Sequence, residues 1–163
     1  MSKLLTARMT ADYDGPLVIF IIGMRINRAL KVHKWLPVIR AMGPMIAELT
    51  PCQGFLGWQP MLAGLRTVTL IQYWRDFDSL ETYARARDKR HWPAWAAFNK
   101  AVGTDGTVGI FHETYVVAPA GHEAIYVNMP PFGLGRVGNL VPAEGRRSEA
   151  RERMKQAGTA PDA

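Results

Sequence analysis

The chain has very little cysteine and no long apolar segment. Cys52 is the one cysteine in 163 residues, which excludes an internal disulfide and a multi-cysteine metal site. One cysteine also fits the reducing cytosol. The longest apolar run, residues 17–24, is far shorter than the roughly 20 residues that a membrane-spanning helix needs. The N-terminus does not show the charged-then-apolar pattern of a signal peptide. We therefore expect a cytoplasmic protein with no membrane partner.

Several catalytic signatures are missing as well. No two histidines have the i, i+4 spacing of a metal site on a helix, and no Ser-His-Asp signature or phosphate-cradling glycine motif occurs. Gly133 and Gly135 form a Gly-x-Gly pair, but no helical pattern follows it. These absences remove most hydrolases and most oxidoreductases that depend on a dinucleotide.

Acidic residues are outnumbered, with 14 Asp and Glu against 20 Lys and Arg, for a net charge of +6. Much of the excess lies in the last eighteen residues, which include Arg146, Arg147, Arg151, Arg153 and Lys155. Nucleic-acid binding would call for a basic stripe on a folded element. Because the charge lies in a tail instead, we expect no nucleic-acid partner.

The hydrophobic content of 48% is typical of a single globular domain with a real core. Residues 17–27 are mainly apolar and rich in β-branched side chains, which predicts a strand buried on both faces. Further strands are predicted at 54–62, 66–74 and 108–117, with a short one at 124–127. Helical spacing predicts helices at 35–49, 79–89 and 93–102, and Gly43-Pro44 is expected to kink or split the first of them.

This order of elements predicts an α+β fold, the ferredoxin-like split β-α-β pattern, with an antiparallel sheet and helices on one face. The other face of the sheet is also largely apolar and must be covered. The simplest cover is a second copy of the same sheet, which predicts a homodimer in the form of a dimeric α/β barrel. We expect the domain to span residues 1–128. An irregular Pro/Gly arm or lid should follow at 129–147, and a disordered charged tail at 148–163.

Histidines and strand-end polar groups are the candidate functional residues. The alternation of strand 108–117 predicts a buried His112, either as a cavity-facing acid/base or second ligand, or as a satisfied core histidine. Arg25 and Asn27 end the first long strand, where polar groups either mark its exit to solvent or reach into a cavity. Aromatic side chains can wall an apolar pocket for a hydrophobic ligand, and the candidates are Trp58, Tyr73, Trp74, Trp92, Trp95, Phe111 and Tyr115.

Four segments carry a resemblance to a known family. They are GMRINRALKVHKWLPV (23–38), QYWRDFDSLETYARARD (72–88), HWPAWAAFNKAVGTDGTVGIFHETY (91–115) and EAIYVNMPPFGLGR (123–136). The chain is similar to an uncharacterised-domain family labelled "monooxygenase family protein". It also resembles the dimeric α/β-barrel superfamily of haem-degrading and quinone-forming monooxygenases, chlorite dismutases and aldoxime dehydratases.

The resemblance implies a role for specific residues. The haem-degrading branch has a haem-ligating histidine late in the helix after its third strand, and His91 corresponds to it. Asn27 corresponds to an asparagine on the first strand near the haem. In this interpretation His91 binds the iron of haem b, and Arg25, Tyr73 and Trp95 line the cofactor. The alternative for His91 is a hinge or helix-capping histidine, because Trp92-Pro93 interrupts the helix.

Three hypotheses about function follow. The first is a monooxygenase acting on a hydrophobic small molecule, either with haem on His91 and with His112 or Asn27 orienting oxygen or substrate, or without a cofactor and with His112 as the base. The second is a haem-dependent lyase resembling aldoxime dehydratase. The third is a dimeric protein that binds haem or another small ligand without turnover.

Overall fold

The computed structural model describes residues 4–86 and 105–156. Four strands form the main sheet: β2 (Leu17–Ile26), β3 (Phe55–Leu62), β4 (Thr67–Trp74) and β5 (Val108–Val117). The short strand β1 (Met9–Asp12) pairs with β6 (Asn139–Pro142) in a separate two-stranded sheet. The helices are α1 (Val32–Leu49), α2 (Phe77–Arg85) and α3 (Ala150–Gln156).

The main sheet has the order β3-β4-β2-β5, and its neighbouring strands are antiparallel. Helix α1 connects β2 to β3, and α2 follows β4, so the chain has two β-α-β units whose strands interleave. This is the ferredoxin-like arrangement, and the predicted α+β fold class is confirmed. The two long apolar strands, β2 and β4, occupy the centre of the sheet, where both of their faces can be covered.

Helix α1 is continuous through Pro37 and Pro44, so of the kink or split expected at Gly43-Pro44 the split does not occur. A proline inside a helix leaves the carbonyl four residues earlier without its partner. The carbonyls concerned belong to His33 and Arg40, and both of these residues are exposed to solvent. Water can therefore satisfy these groups, and the helix continues to Leu49.

Helix α2 begins at an aspartate cap and is shorter than predicted. The Asp76 side chain accepts a hydrogen bond from the Ser79 backbone N–H at 2.6 Å. Hydrogen bonds from the Ser79 side chain and from this backbone N–H, together with the adjacent Arg75, hold the pKa of the Asp76 carboxyl below its usual value. The helix ends at Arg85, and Ala86 is extended. The predicted continuation of α2 towards Lys89, and the whole predicted helix 93–102, lie outside the described residues.

The C-terminal segment is more regular than expected. Part of the predicted arm forms β6, and part of the predicted disordered tail forms α3. Arg153 accounts for the ordering of α3: its side chain is only 6% exposed and bonds the Glu123 carboxylate at 2.7 Å. It also donates to the backbone carbonyls of Arg147 and Ser148. A charge-assisted anchor of this kind fixes a polar segment that has little apolar surface to bury.

Candidate active site

The helix-facing side of the main sheet has a separate apolar cluster at each end. At one end, Leu49 of α1 and Leu80 of α2 pack on Val18 and on Trp74, which is completely buried. At the other end, the first turns of α1 pack on Met24 and Val108. Helix α1 is therefore fixed to the sheet at both ends and α2 at one of them, and between the two clusters Leu70 and Gln72 are buried while His112 is exposed.

Between the two clusters lies a set of side chains that we call the central strip. Cross-strand pairing aligns them in two rows of the β4-β2-β5 sheet. They share the face that carries the helices, because alternate residues of a strand point to the same side. The central strip consists of Leu70, Gln72, Phe20, Ile22, His112 and Thr114. It is an apolar surface with one imidazole, one amide and one hydroxyl, which is the composition of a site for a mainly hydrophobic ligand.

His112 lies in the central strip as an exposed side chain, which corrects the prediction that it is buried. Its ring contacts Phe20, with ring centroids 5.7 Å apart and planes tilted by 40°. The alternation predicted its face correctly but not its burial, because β5 is an edge strand of the sheet. The imidazole is therefore accessible to solvent on this face.

Gln72 is the buried polar group of the central strip. Its Oε1 accepts a hydrogen bond from Trp74 Nε1 at 3.0 Å. Trp74 is fixed in turn by an edge-to-face contact with Phe55, with ring centroids 5.1 Å apart. Because Oε1 is engaged, the NH₂ group is the part of the amide that remains to donate to a ligand. Gln72 was not among the predicted site residues. A polar residue between Leu70 and Trp74 on an otherwise apolar strand face was the signal that could have indicated it.

Tyr73 lies on the opposite face of the sheet, beneath the C-terminal segment. It is buried in a cluster with Leu17, Ala11 and Leu134. Burial raises the pKa of its phenol, and the neighbouring Tyr126 raises it further. A Cβ added at Gly133 would lie 3.0 Å from the Tyr73 hydroxyl, so the backbone there is in close contact with the phenol. The Tyr73 ring is thus a packing surface for the chain's own C-terminal segment.

One hydrogen bond joins this C-terminal segment to the sheet, and a second joins it to Tyr126, which lies just before the segment. The Gly133 N–H donates to Oε1 of the buried Gln59 at 3.3 Å. The Gly135 N–H donates to the Tyr126 hydroxyl at 3.0 Å. The Pro/Gly-rich stretch predicted as an arm or lid is therefore docked on the face away from the helices.

Arg25 and Asn27 lie at one end of the main sheet. Arg25 donates to the Thr67 hydroxyl at 3.3 Å, and Asn27 Nδ2 donates to the Gly106 carbonyl at 3.1 Å. Both residues are exposed. Arg25 is six residues from Ile19, the cross-strand partner of Tyr73, which corresponds to about 20 Å along the strand. Of the two interpretations offered for this strand end, the structure supports the exit to solvent.

A cavity of about 10 Å³ lies between β1 and the C-terminal segment, with room for roughly one water molecule. The Nε2 atom of His122 lines it and is buried without a hydrogen-bond partner among the described residues. Asp12 and Arg147 form an ion pair at 2.9 Å at the same place. This cavity is too small for an organic substrate.

Comparison with known proteins identifies the family. The family model described as "Monooxygenase af470-like" matches residues 17–134, which is more than half of the chain. The chain belongs to the monooxygenase af470-like family. The match begins at the first residue of β2 and ends within the Gly133–Arg136 turn, so it contains the whole main sheet, α1 and α2. Strands β1 and β6 and helix α3 lie outside it.

A curated relative of this family carries the same name. Monooxygenase af470 of Aspergillus fumigatus is 32% identical over 133 residues, which cover 75% of this chain. The match covers 46% of the relative, so the chain spans about half the length of that protein. Among its described residues, this family member contains no helix long and apolar enough to cross a membrane.

Among solved structures, the chain is similar to SnoaB of Streptomyces nogalater, described as a cofactor-independent oxygenase. The identity is 12% and the TM-score 0.48, over 64% of this chain and 95% of SnoaB. PA3566 of Pseudomonas aeruginosa has a TM-score of 0.48 at 13% identity, over 65% of this chain and 98% of that one.

The residues that the sequence analysis assigned to haem are not brought together in this family member. Tyr73 is covered by the chain's own backbone, Arg25 lies at a distant strand end, and His112 faces the other side of the sheet. The predicted iron ligand His91 and the predicted cofactor-lining Trp95 lie outside the described residues. The described part of the haem set therefore does not fit a haem, and we derive no step through one.

The sheet also carries a polar pair that was not predicted from the sequence. The Tyr115 hydroxyl donates to Glu113 Oε2 at 2.7 Å, and this bond raises the pKa of the phenol. Both side chains are exposed on the face that carries the C-terminal segment. Their spacing of two residues on one strand was the available signal, since such side chains share a face.

Proposed function

We propose that this domain is a monooxygenase that oxidises an electron-rich hydrophobic aromatic molecule without a cofactor. The single observation that carries the proposal is the central strip, where an exposed imidazole lies beside an aromatic ring in a mainly apolar surface. Membership of a monooxygenase family supports the reaction class. The substrate class and the absence of a cofactor rest on the residues of the strip.

His112 acts as the base in this proposal. Imidazole can accept a proton near neutral pH, and a phenol loses its proton to become a strongly electron-rich phenolate. The phenolate reduces O₂, and a new carbon–oxygen bond forms at a ring carbon that still bears hydrogen. The resulting peroxide anion takes the proton back from His112 and becomes a hydroperoxide. The hydroperoxide then loses the hydrogen of that ring carbon together with the terminal OH as one water, which gives a quinone. One oxygen atom of O₂ remains in the product and the other leaves as water.

Phe20 and Gln72 position the substrate. The Phe20 ring offers a face for an aromatic substrate to stack on, next to the imidazole. The Gln72 amide belongs to a row of cross-strand neighbours with Phe20 and Thr114, adjacent to the row of His112. Its NH₂ group can donate to a substrate oxygen, and such donors stabilise an oxyanion most where water is excluded.

Oxygen uptake tests this proposal. Purified protein is mixed with a panel of hydroquinones and polycyclic phenols in an oxygen electrode, with and without added haemin. We expect uptake with at least one phenol, in equal amount to the quinone formed, and the same rate without haemin. Turnover that requires haemin would instead support the haem hypotheses. Ligand binding without uptake across the whole panel would support the non-catalytic alternative.

We also propose that the domain works as a homodimer, although less of the sheet is available than we expected. The chain covers one end of the second sheet face with its own β1, β6 and C-terminal segment. Towards the other end, Met61 and Phe111 remain exposed on that face, and Tyr115 is exposed on the edge strand beside the covered end. An uncovered apolar sheet surface of this kind is typical of an interface. Light scattering at micromolar concentration should give about twice the chain mass, and a monomer would contradict this.

A further inference from the structure

Three strongly exposed leucines lie at one end of the main sheet. Leu30 is 98% exposed, Leu62 is 77% exposed, and Leu65 is fully exposed. They are the three most exposed large hydrophobic side chains among the described residues. Single exposed leucines are ordinary on a protein surface, but a group of them in one place points to a binding surface.

The two loops that carry these leucines lie at the same end of the sheet. Leu62 and Leu65 flank the β3–β4 hairpin turn, and Leu30 belongs to the loop after β2. The Ile26 N–H donates to the Arg66 carbonyl at 2.8 Å, which joins the end of β2 to this hairpin. We call residues 28–32 and 61–66 together the leucine tip.

The leucine tip is held by defined contacts. Gly64 has a φ of +69°, which permits the tight turn, and the Ala63 N–H donates to the Thr67 carbonyl at 2.9 Å. In the other loop, the Trp35 indole donates to the Ala29 carbonyl at 2.9 Å. The leucines are therefore presented to solvent by ordered backbone, which reduces the entropic cost of binding through them.

The charges around the leucine tip are almost all positive. Residues 25–34, 61–67 and 105–108 contain a single carboxylate, Asp105, which pairs with Lys31 and Lys34. The cations in these ranges are Arg25, Arg28, Lys31, Lys34 and Arg66. Arg25, Arg28 and Arg66 are exposed. Apolar side chains surrounded by cations complement the surface of a bilayer whose lipids are anionic.

We infer that the leucine tip is a docking site for an anionic lipid surface. The leucines insert among the acyl chains at the interface, and the three exposed arginines contact lipid phosphates and carboxylates. The proposed contact is peripheral and uses no membrane-spanning helix, and the sequence expectation of no membrane partner stays a prediction that the same experiment tests. It is independent of the chemistry proposed for the central strip.

Vesicle sedimentation tests the inference with the full chain. Vesicles of phosphatidylcholine alone are compared with vesicles that also contain phosphatidylserine. We expect binding to the anionic vesicles, weakening as salt is raised, and little binding to the neutral ones. The Leu30→Ser/Leu65→Ser variant should lose affinity by about tenfold or more for each leucine. The Arg28→Ala/Arg66→Ala variant should lose roughly 30-fold, at about fivefold for each charge.

Two matched controls separate the leucine tip from general surface charge. Leu4→Ser and Arg151→Ala change exposed residues of the same types elsewhere in the fold and should bind vesicles like the unmodified protein. The inference is overturned if the unmodified protein ignores phosphatidylserine, or if the tip variants bind as well as the controls. It is also overturned if the leucine variant converts a dimer into a monomer, because the tip would then be a contact between two copies.

Discussion

His112→Ala is expected to lower substrate-dependent oxygen uptake by about 10²- to 10⁴-fold, the usual contribution of a positioned general base. The physical reason is that the imidazole is the basic group of the central strip, and alanine leaves the substrate phenol without a proton acceptor. Because His112 is exposed, the fold should tolerate the change, and the thermal unfolding temperature should stay close to that of the unmodified protein.

His33→Ala is the matched control for this experiment. His33 is also exposed, but it lies in the first turn of α1, away from the central strip. We expect its oxygen uptake to equal that of the unmodified protein. His112→Gln refines the result, since it keeps a polar side chain without the base and should be as inactive as the alanine variant. Full activity in either His112 variant would remove this residue from the mechanism.

Gly23→Ala should destabilise the domain by about 1–3 kcal/mol, the usual cost of overpacking in a close-packed interior. A Cβ at this position would lie 2.5 Å from the Phe111 ring and 2.9 Å from the Val68 carbonyl oxygen. The ring can rotate away, but the carbonyl belongs to the backbone of a central strand and cannot move without disturbing the sheet. Urea unfolding would show the loss as a lower midpoint with an unchanged slope.

Gly43→Ala is the same chemical change as Gly23→Ala and should have the opposite effect on the stability of the domain. Gly43 lies within α1, is exposed, and has nothing within 4 Å of an added Cβ. Replacing a helical glycine by alanine reduces the entropy of the unfolded chain, so we expect a gain of about 0.5–1 kcal/mol. Similar stability of the two alanine variants would contradict the close approach described at Gly23.

The sheet could be predicted from the sequence because strand signals are local. The apolar run of β2, the alternation of β5 and the helical spacing of α2 each predicted an element that the structure contains. At Gly23, β2 pairs regularly with both neighbouring strands and the Phe111 ring lies close to the backbone, so this glycine marks a close approach and not a bulge. The order of elements was then sufficient to predict the ferredoxin-like fold.

The cover of the second sheet face could not be predicted in the same way. The contacts that dock the C-terminal segment join residues far apart in sequence, as in the hydrogen bond between Gly133 and Gln59. No local pattern reports such a pair. The ordering of α3 depends on the same kind of distant partner, the ion pair of Arg153 with Glu123. The charged stretch 148–163 was therefore predicted to be disordered, because its sequence does not reveal the pairing of Arg153 with Glu123.

The candidate site was predicted only in part for the same physical reason. Alternation assigns a side chain to a face, and this correctly grouped His112 with Ile110 and Thr114. Alternation does not reveal which strand lies at the edge of a sheet. The position of a strand in the sheet determines how deeply its side chains are buried. The haem set of Arg25 and Tyr73 came from resemblance, and their separation by most of the length of β2 becomes visible only with the strand register.

Isotope labelling tests most directly whether the protein transfers an oxygen atom from O₂ to a phenol without a cofactor. Purified protein, shown by its absorption spectrum to contain no haem, turns over a phenol from the panel under ¹⁸O₂, and the quinone is analysed by mass spectrometry. The proposed cofactor-free mechanism predicts one ¹⁸O atom in each quinone, no need for an added cofactor, and loss of labelled product in His112→Ala. A quinone that carries no ¹⁸O, or labelled product that appears only after haemin is added, would contradict it.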